Sequence, residues 1–207
     1  YGADKLCGFK QTHQPSPWIN DYGAFSLMPI TGKAVFDEKK RASWFSHKAE
    51  KATPYYYRAY LADYDIVTEV APTERAAIFR FTFPQTDAAK VVVDAYMKGS
   101  YVKIIPSENK IVGYNTYNNG GVPEGFKNYF VIVFDKPFDF TATANPKGIQ
   151  KGTTELRDEH AGAIIGFKTR RGETVHARVA SSFISYAQAE QNLKELGNSD
   201  FDEIVAQ

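Results

Sequence analysis

Apolar and polar residues alternate along most of this 207-residue chain, in short runs that are separated by turn residues. A period of two with turns at intervals of about ten residues is typical of an antiparallel β-sandwich. Residues 55–71 form two apolar runs around a turn at 62–65, which predicts a hairpin, and residues 75–84 predict a strand that Pro84 ends. The same pattern predicts further strands at 90–96, 101–105, 110–117, 129–134, 138–144, 161–168 and 174–184.

Some of these predicted strands are apolar on both faces, as in residues 91–93 and 130–134. A strand of that kind lies in a sheet that is covered on both sides. We therefore predict a mainly β fold, a large antiparallel β-sandwich over residues 1–184.

The pattern changes after residue 184. Ser185 followed by Gln188 resembles a capping box, which predicts a helix that runs to about Leu196 and stops at Gly197. A second helix start is predicted at 199–202, and it is followed by barely two helical turns. Because so short a helix is not stable alone, and because the chain begins with Tyr1, we expect a piece of a longer protein in which 185–207 are linker helices.

Composition excludes some classes of function. The 25 basic and 24 acidic residues nearly cancel and form no blocks, which argues against a nucleic-acid partner. No apolar run approaches the roughly 20 residues that span a bilayer, so membrane insertion is not expected. With 43% hydrophobic residues the chain can bury a core.

The reactive side chains show no familiar catalytic or metal-binding spacing. His13, His47, His160 and His176 form no metal-ligand pair, so we predict no metal site. His160 is expected to be a solvated turn residue, and His176 a strand residue that bonds to a neighbour. No nucleophile elbow or phosphate-binding loop occurs, and Cys7 is interpreted as a small hydrophobe near a strand. The charged runs 36–41 and 155–159 are interpreted as solvated faces.

A cluster of tyrosines lies between residues 55 and 64. In a strand, Tyr55 and Tyr57 would face one side, and Tyr56 and Tyr60 the other. The cluster could form a sugar-stacking platform, but we favour ordinary core and cross-strand packing.

Residues 8–25, "GFKQTHQPSPWINDYGAF", contain many aromatic and hydrogen-bonding side chains. It could be a proline-stiffened cover with Trp18 as a plug. It could instead be a polar ligand site, where an aromatic face meets C–H groups and His13, Gln14 and Asp21 meet hydroxyls. The residue types alone leave both interpretations open.

This stretch carries a resemblance to a known family. "GFKQTHQPSPWINDYGAFSLMPITG" (8–32) closely resembles the N-terminal domain of glycoside hydrolase family 92, the calcium-dependent exo-α-mannosidases that are common in gut Bacteroidetes. Matches follow in order at "SWFSHKAEKATPYYYRAYL" (43–61), "DIVTEVAPTERAAIFRFTFP" (65–84) and "SFISYAQAEQNLKEL" (182–196). The resemblance covers essentially the whole chain.

The resemblance implies a two-domain enzyme with a supersandwich-like N-terminal β-sandwich, a C-terminal (α/α)6 barrel and an active site between them. Such enzymes remove terminal mannose from N-glycans and mannans with inversion, which requires two carboxyl groups roughly 6.5–9.5 Å apart. In the family those groups and the calcium ligands come from the barrel. We therefore expect no catalytic residue and no metal ligand in this chain, and we expect it to be inactive alone.

The family also implies which residues border the substrate. Trp18 best matches the aromatic residue that borders the leaving-group subsite, and His13, Gln14 and Asp21 match the same motif. The expected partners are the barrel of the same polypeptide and mannose-containing glycans, in the periplasm or outside the cell. The alternatives are a free-standing lectin-like module that uses Trp18 and the tyrosines at 55–64, or a purely structural domain.

Overall fold

The computed structural model describes residues 4–10, 24–118 and 120–207. The described residues form two large antiparallel sheets, a two-stranded ribbon and a few short helices. The strands are β1 (Lys5–Leu6), β2 (Phe9–Lys10), β3 (Ser26–Thr31), β4 (Ser43–Trp44), β5 (Lys51–Thr53), β6 (Tyr56–Leu61), β7 (Ile66–Pro72), β8 (Ala76–Phe83), β9 (Thr86–Asp94), β10 (Ser100–Ile105), β11 (Lys110–Asn115), β12 (Asn128–Phe134), β13 (Phe140–Asn145), β14 (Gly148–Lys151), β15 (Glu155–Asp158), β16 (Gly162–Thr169) and β17 (Glu173–Ser182). The α-helices are α1 (Glu38–Arg41), α2 (Tyr186–Leu193) and α3 (Phe201–Ala206), and 3-10 turns occur at Pro106–Glu108 and Lys194–Leu196.

The larger sheet has nine strands in the order β15-β10-β11-β12-β17-β8-β7-β6-β5. The smaller sheet has six, in the order β14-β13-β16-β9-β3-β2, and β1 pairs with β4 in a separate ribbon. Side chains from the facing sides of the two sheets form one large core, in which the rings of Phe25 and Phe130 stack with centroids 4.5 Å apart. The predicted antiparallel β-sandwich is confirmed.

The outer face of the nine-stranded sheet carries a second, smaller core. Ala71, Ile78 and Ala180 from three adjacent strands pack there against Phe201 and Ile204 of α3. This cover explains why strands β7, β8 and β17 of the large sheet carry buried apolar residues on both faces. Residues 91–93 in β9 of the smaller sheet are also fully buried, as predicted.

The helix starts agree with the sequence pattern to within a residue. The Ser185 hydroxyl accepts a hydrogen bond from the Gln188 N–H at 3.1 Å, which confirms the cap of α2. The N-cap of α3 is Asp200 rather than Ser199, because Asp200 and Glu203 form a complete capping box. None of the described helices is long and apolar enough to cross a membrane. The proposed division of the chain at residue 184 stays a prediction.

The pattern missed several short strands. β3 contains Pro29, which the strand tolerates because Pro29 lies beyond the end of β2, its neighbour on that side. Residues 155–159, interpreted as a solvated face, include edge strand β15, which pairs with β10. Edge strands bury little, so their alternation is weak.

Candidate functional site

One end of the sandwich gathers several connections of the chain, and we call it the loop end. The strand register places Asp94 beside both Ser26 and Gly162 in the smaller sheet. It places Ser100 beside both Asn115 and Asp158 in the larger sheet. The connections β9–β10, β11–β12 and β15–β16 therefore lie at the same end, as do the end of β2, the start of β3 and the exit from β17.

The four predicted substrate-binding residues, His13, Gln14, Trp18 and Asp21, lie outside the described residues. The structure shows where the flanking residues are: Lys10 pairs with Ser26 across β2 and β3 at the loop end. The assignment of those four residues to a sugar site stays a prediction.

A buried ionic network lies beneath the loop end. The Arg41 guanidinium, on a residue that is only 1% exposed, donates from Nη2 to Asp94 Oδ2 at 2.7 Å. It also donates to two backbone oxygens, from Nε to the Cys7 carbonyl at 2.9 Å and from Nη1 to the Phe36 carbonyl. His160 Nε2 lies 2.7 Å from the second oxygen of Asp94. One carboxylate thus connects a helix end, a strand end and the turn before β16.

This network corrects two predictions. His160 is not a solvated turn residue, because its side chain is bound to Asp94 and its ring lies edge-on to Phe36 at 5.1 Å. The run 36–41 is not a uniformly solvated face, because Arg41 and Phe36 are buried while the residues between them are exposed. The partners are 53 and 66 residues from Asp94 along the chain, so no local pattern could indicate the network.

The network sets the charge state of Asp94. Burial raises the pKa of this carboxyl, but the hydrogen bond from His160 and the charge of Arg41 outweigh it, so the pKa is below its usual range. Asp94 is therefore a carboxylate at neutral pH. Both its oxygens have partners, because Oδ1 also accepts from the Tyr96 N–H at 2.9 Å.

The β9–β10 connection at the loop end is strained. Tyr96 and Lys98 have φ values of 72° and 68°, a region that residues other than glycine rarely occupy. The Tyr96 ring lies edge-on to Tyr117 at 4.9 Å. The Lys10 ammonium lies 4.7 Å from the centroid of Tyr96, so Lys10, which immediately precedes segment 11–23, contacts this pair. No local sequence pattern predicts this contact.

The tyrosines at 55–64 do not form one platform. Tyr57 and Tyr64 pack against the main core, and Tyr56 packs against Phe201 on the outer face, as the favoured interpretation predicts. Tyr55 and Tyr60 are 58% and 41% exposed. Tyr55 lies in the turn before β6, whereas the Tyr60 hydroxyl donates to Asp65 near the far end of that strand, which weakens a shared sugar-stacking role.

The remaining predicted residues have structural partners. His176 Nδ1 lies 2.7 Å from Asp135 Oδ2, which confirms a strand histidine bonded to a neighbour. Burial and a hydrogen bond to Glu38 raise the pKa of the Cys7 thiol to about 11, so Cys7 is unsuited to nucleophilic attack. Within residues 4–10, 24–118 and 120–207, no three His, Cys, Asp or Glu side chains are grouped to hold a metal ion.

The fold and the loop end define a two-sheet β-sandwich domain whose connections gather charged and aromatic groups at one end. Residues 1–182 match the glycosyl hydrolase family 92 N-terminal domain. The chain belongs to that family. No curated protein sequence matched it.

Solved structures of the family are similar along the whole chain. An inverting mannosidase of family GH92 from Bacteroides thetaiotaomicron VPI-5482 is 40% identical over 100% of this chain, with a TM-score of 0.94. A family GH92 α-mannosidase from Bacteroides thetaiotaomicron is 30% identical over 100% of this chain, with a TM-score of 0.88. That second protein was also solved in complex with mannoimidazole. The chain covers only 28% and 30% of these two relatives.

Proposed function

We propose that this chain forms one wall of the substrate cleft of a calcium-dependent, inverting exo-α-mannosidase that acts on N-glycans or mannans. The 40% identity to an inverting mannosidase over the whole chain carries this proposal. The loop end is the wall that faces the substrate. Trp18 borders the leaving-group subsite, and His13, Gln14 and Asp21 contact the sugar or hold the segment that bears Trp18.

The bond-breaking groups are assigned to the remainder of the polypeptide. Inversion needs one carboxylic acid at the leaving oxygen and one carboxylate that activates water on the opposite face of the sugar. At the loop end the buried carboxylate of Asp94 is bound to Arg41 and His160, so it is committed to structure. An (α/α)6 barrel in the same polypeptide would supply both groups and the calcium ligands. We propose a location in the periplasm or outside the cell.

The test compares the full-length protein with the present chain. The full-length protein is expected to release mannose from α-mannosides, and to lose that activity when a chelator removes calcium. The present chain alone is expected to release none. Mannose release by this chain alone, with or without calcium, would contradict the assignment of the catalytic groups.

Trp18→Ala in the full-length protein tests the cleft wall itself. We expect a fall in kcat/KM on glycan substrates, because an aromatic contact in the leaving-group subsite is lost. Trp44→Ala is the matched control, since Trp44 is the other tryptophan, is 49% exposed and lies in the separate ribbon. Equal activities for the two variants would favour a purely structural domain. Tight mannoside binding by the chain alone would favour the lectin-like alternative.

A further inference from the structure

We propose that Tyr96 and Tyr117 form a second carbohydrate-contact surface at the loop end, distinct from the predicted Trp18 subsite. Its ligand is a pyranose ring of the glycan on the leaving-group side of the cleaved mannose. The inference rests on the proposed function, because it extends the same cleft to a longer substrate.

The rings of Tyr96 and Tyr117 meet at a steep angle, and we call this pair the corner. They meet edge-on, with centroids 4.9 Å apart and planes at 80°, and both side chains are partly exposed. A tyrosine ring with a polar hydroxyl suits a pyranose, which has C–H groups on its faces and hydroxyls around its edge. Lys10 Nζ lies 4.7 Å from the Tyr96 centroid, and Lys98 Nζ lies 4.8 Å from the Tyr117 centroid. Each ammonium group therefore lies over one face of its ring.

Hydrogen bonds of the neighbouring backbone also hold the two tyrosines of the corner in place. The Thr116 hydroxyl donates to the Lys98 carbonyl at 2.6 Å, and the Thr116 N–H donates to the Gly99 carbonyl at 3.0 Å. These bonds join the β9–β10 connection, which bears Tyr96, to the residue next to Tyr117. The two tyrosines therefore keep a fixed relative position.

The buried network beneath the corner fixes Tyr96 in its unusual backbone conformation. Asp94 accepts the Tyr96 N–H at 2.9 Å, and His160, bound to the same carboxylate, lies against the Tyr96 ring at 6.2 Å. Positive φ values at both Tyr96 and Lys98 are unfavourable unless the surroundings impose them. Asp94 is thus a positioning residue for the corner.

The location also agrees with a role in the same cleft. Lys10 contacts Tyr96, and it is the residue immediately before the segment that contains Trp18. A glycan that places its leaving-group sugar beside Trp18 would extend across neighbouring parts of the loop end. A substrate with a single sugar would not reach the corner.

The experiment uses the full-length protein and two substrates, an aryl α-mannoside with one sugar and an α-linked mannotriose. For Tyr117→Ala we expect kcat/KM on the mannotriose to fall about tenfold, through KM, with kcat unchanged. We expect activity on the aryl mannoside to stay within about twofold, which also shows that the variant is folded. Tyr117→Phe should retain most of the mannotriose activity, because the ring remains.

Tyr60→Ala is the control, since Tyr60 is an exposed tyrosine that bonds to Asp65 at the β6–β7 turn, at the opposite end of the sandwich. Equal losses on both substrates, or no loss on either, would overturn the inference. Inactivity of the wild-type protein on both substrates would instead overturn the proposed function. Titration of the chain with mannotriose, followed by NMR, tests the surface without activity: Tyr96 and Tyr117 signals that do not move would reject it.

Discussion

The loop end and the helix-covered face of the large sheet each hold an arginine against carboxylates, in different surroundings. At the loop end, Arg41 and Asp94 have side chains only 2% and 4% exposed. On the helix-covered face, Arg80 is 22% exposed, and it bonds both Glu69 and Asp202, whose side chains are 11% and 78% exposed. The arginine–carboxylate pair is therefore shielded from solvent at the loop end and partly exposed to solvent on the helix-covered face.

The partners of the two arginines differ in kind. Arg41 donates to the backbone carbonyls of Cys7 and Phe36, which belong to irregular segments. Arg80 instead joins regular elements: it makes two hydrogen bonds to Glu69 on β7, and its guanidinium lies 4.1 Å from the Phe201 ring of α3. The buried arginine fixes loop geometry, whereas the half-exposed arginine holds a helix on a sheet.

The largest effect is expected from breaking the buried pair. Asp94→Ala leaves the Arg41 guanidinium buried without its counter-ion, and it removes the acceptor for the Tyr96 N–H. Removal of one partner of a buried ion pair destabilises by about 3–5 kcal/mol. Urea unfolding followed by tryptophan fluorescence would measure the fall in the free energy of unfolding.

Arg41→Met with Asp94→Asn provides the control for that prediction. Replacing both charges should restore part of the lost stability, because no unpaired charge remains buried. If the free energy of unfolding of Asp94→Ala lay within about 1 kcal/mol of the wild-type value, it would show that water reaches Arg41 and solvates its charge.

Lowering the pH should destabilise the fold through the buried carboxylate of Asp94. The pKa of Asp94 is lowered in the folded state, because the bond from His160 and the charge of Arg41 outweigh the effect of burial. Its contribution to stability is therefore fully present above the unfolded pKa, about 3.9, and is lost as pH falls through the folded value. The free energy of unfolding should fall as pH drops below about 4, and less steeply in Asp94→Asn than in wild type. Equal slopes would contradict the assignment.

A smaller effect is expected on the helix-covered face. Arg80→Ala removes two bonds to Glu69 but leaves the Tyr56 hydroxyl, which donates to the same carboxylate at 2.7 Å. We expect a loss of about 2 kcal/mol, since charged hydrogen bonds are removed but one partner of Glu69 remains. Hydrogen exchange should show the loss mainly in α3. A loss of stability as large as that of Asp94→Ala would show that the buried and the half-exposed arginine contribute equally, against this prediction.

The two regions also differ in how far the sequence predicts them. On the helix-covered face, both ends of the interaction lie in patterned elements: β8 alternates around Arg80, and Phe201 and Ile204 have helical spacing. At the loop end, Asp94 closes an apolar strand, while Arg41 and His160 belong to charged runs that resemble solvated surface. Only the strand register brings those three residues together. Alternation predicted the sheets, but no local pattern encodes contacts between distant irregular segments.

The smallest effect is expected from the most exposed member of these networks. Asp202→Ala removes a bond of 2.9 Å to Arg80, but the Asp202 side chain is 78% exposed. Exposed ion pairs contribute about 0.5 kcal/mol or less, and salt screens them. Urea unfolding in low salt and in about 1 M NaCl should show a small difference from wild type that disappears at high salt. A double-mutant cycle with Arg80→Ala should give a coupling energy of the same size. A coupling energy above about 1 kcal/mol would contradict the prediction, because it would show that Asp202 stabilises its network despite its exposure.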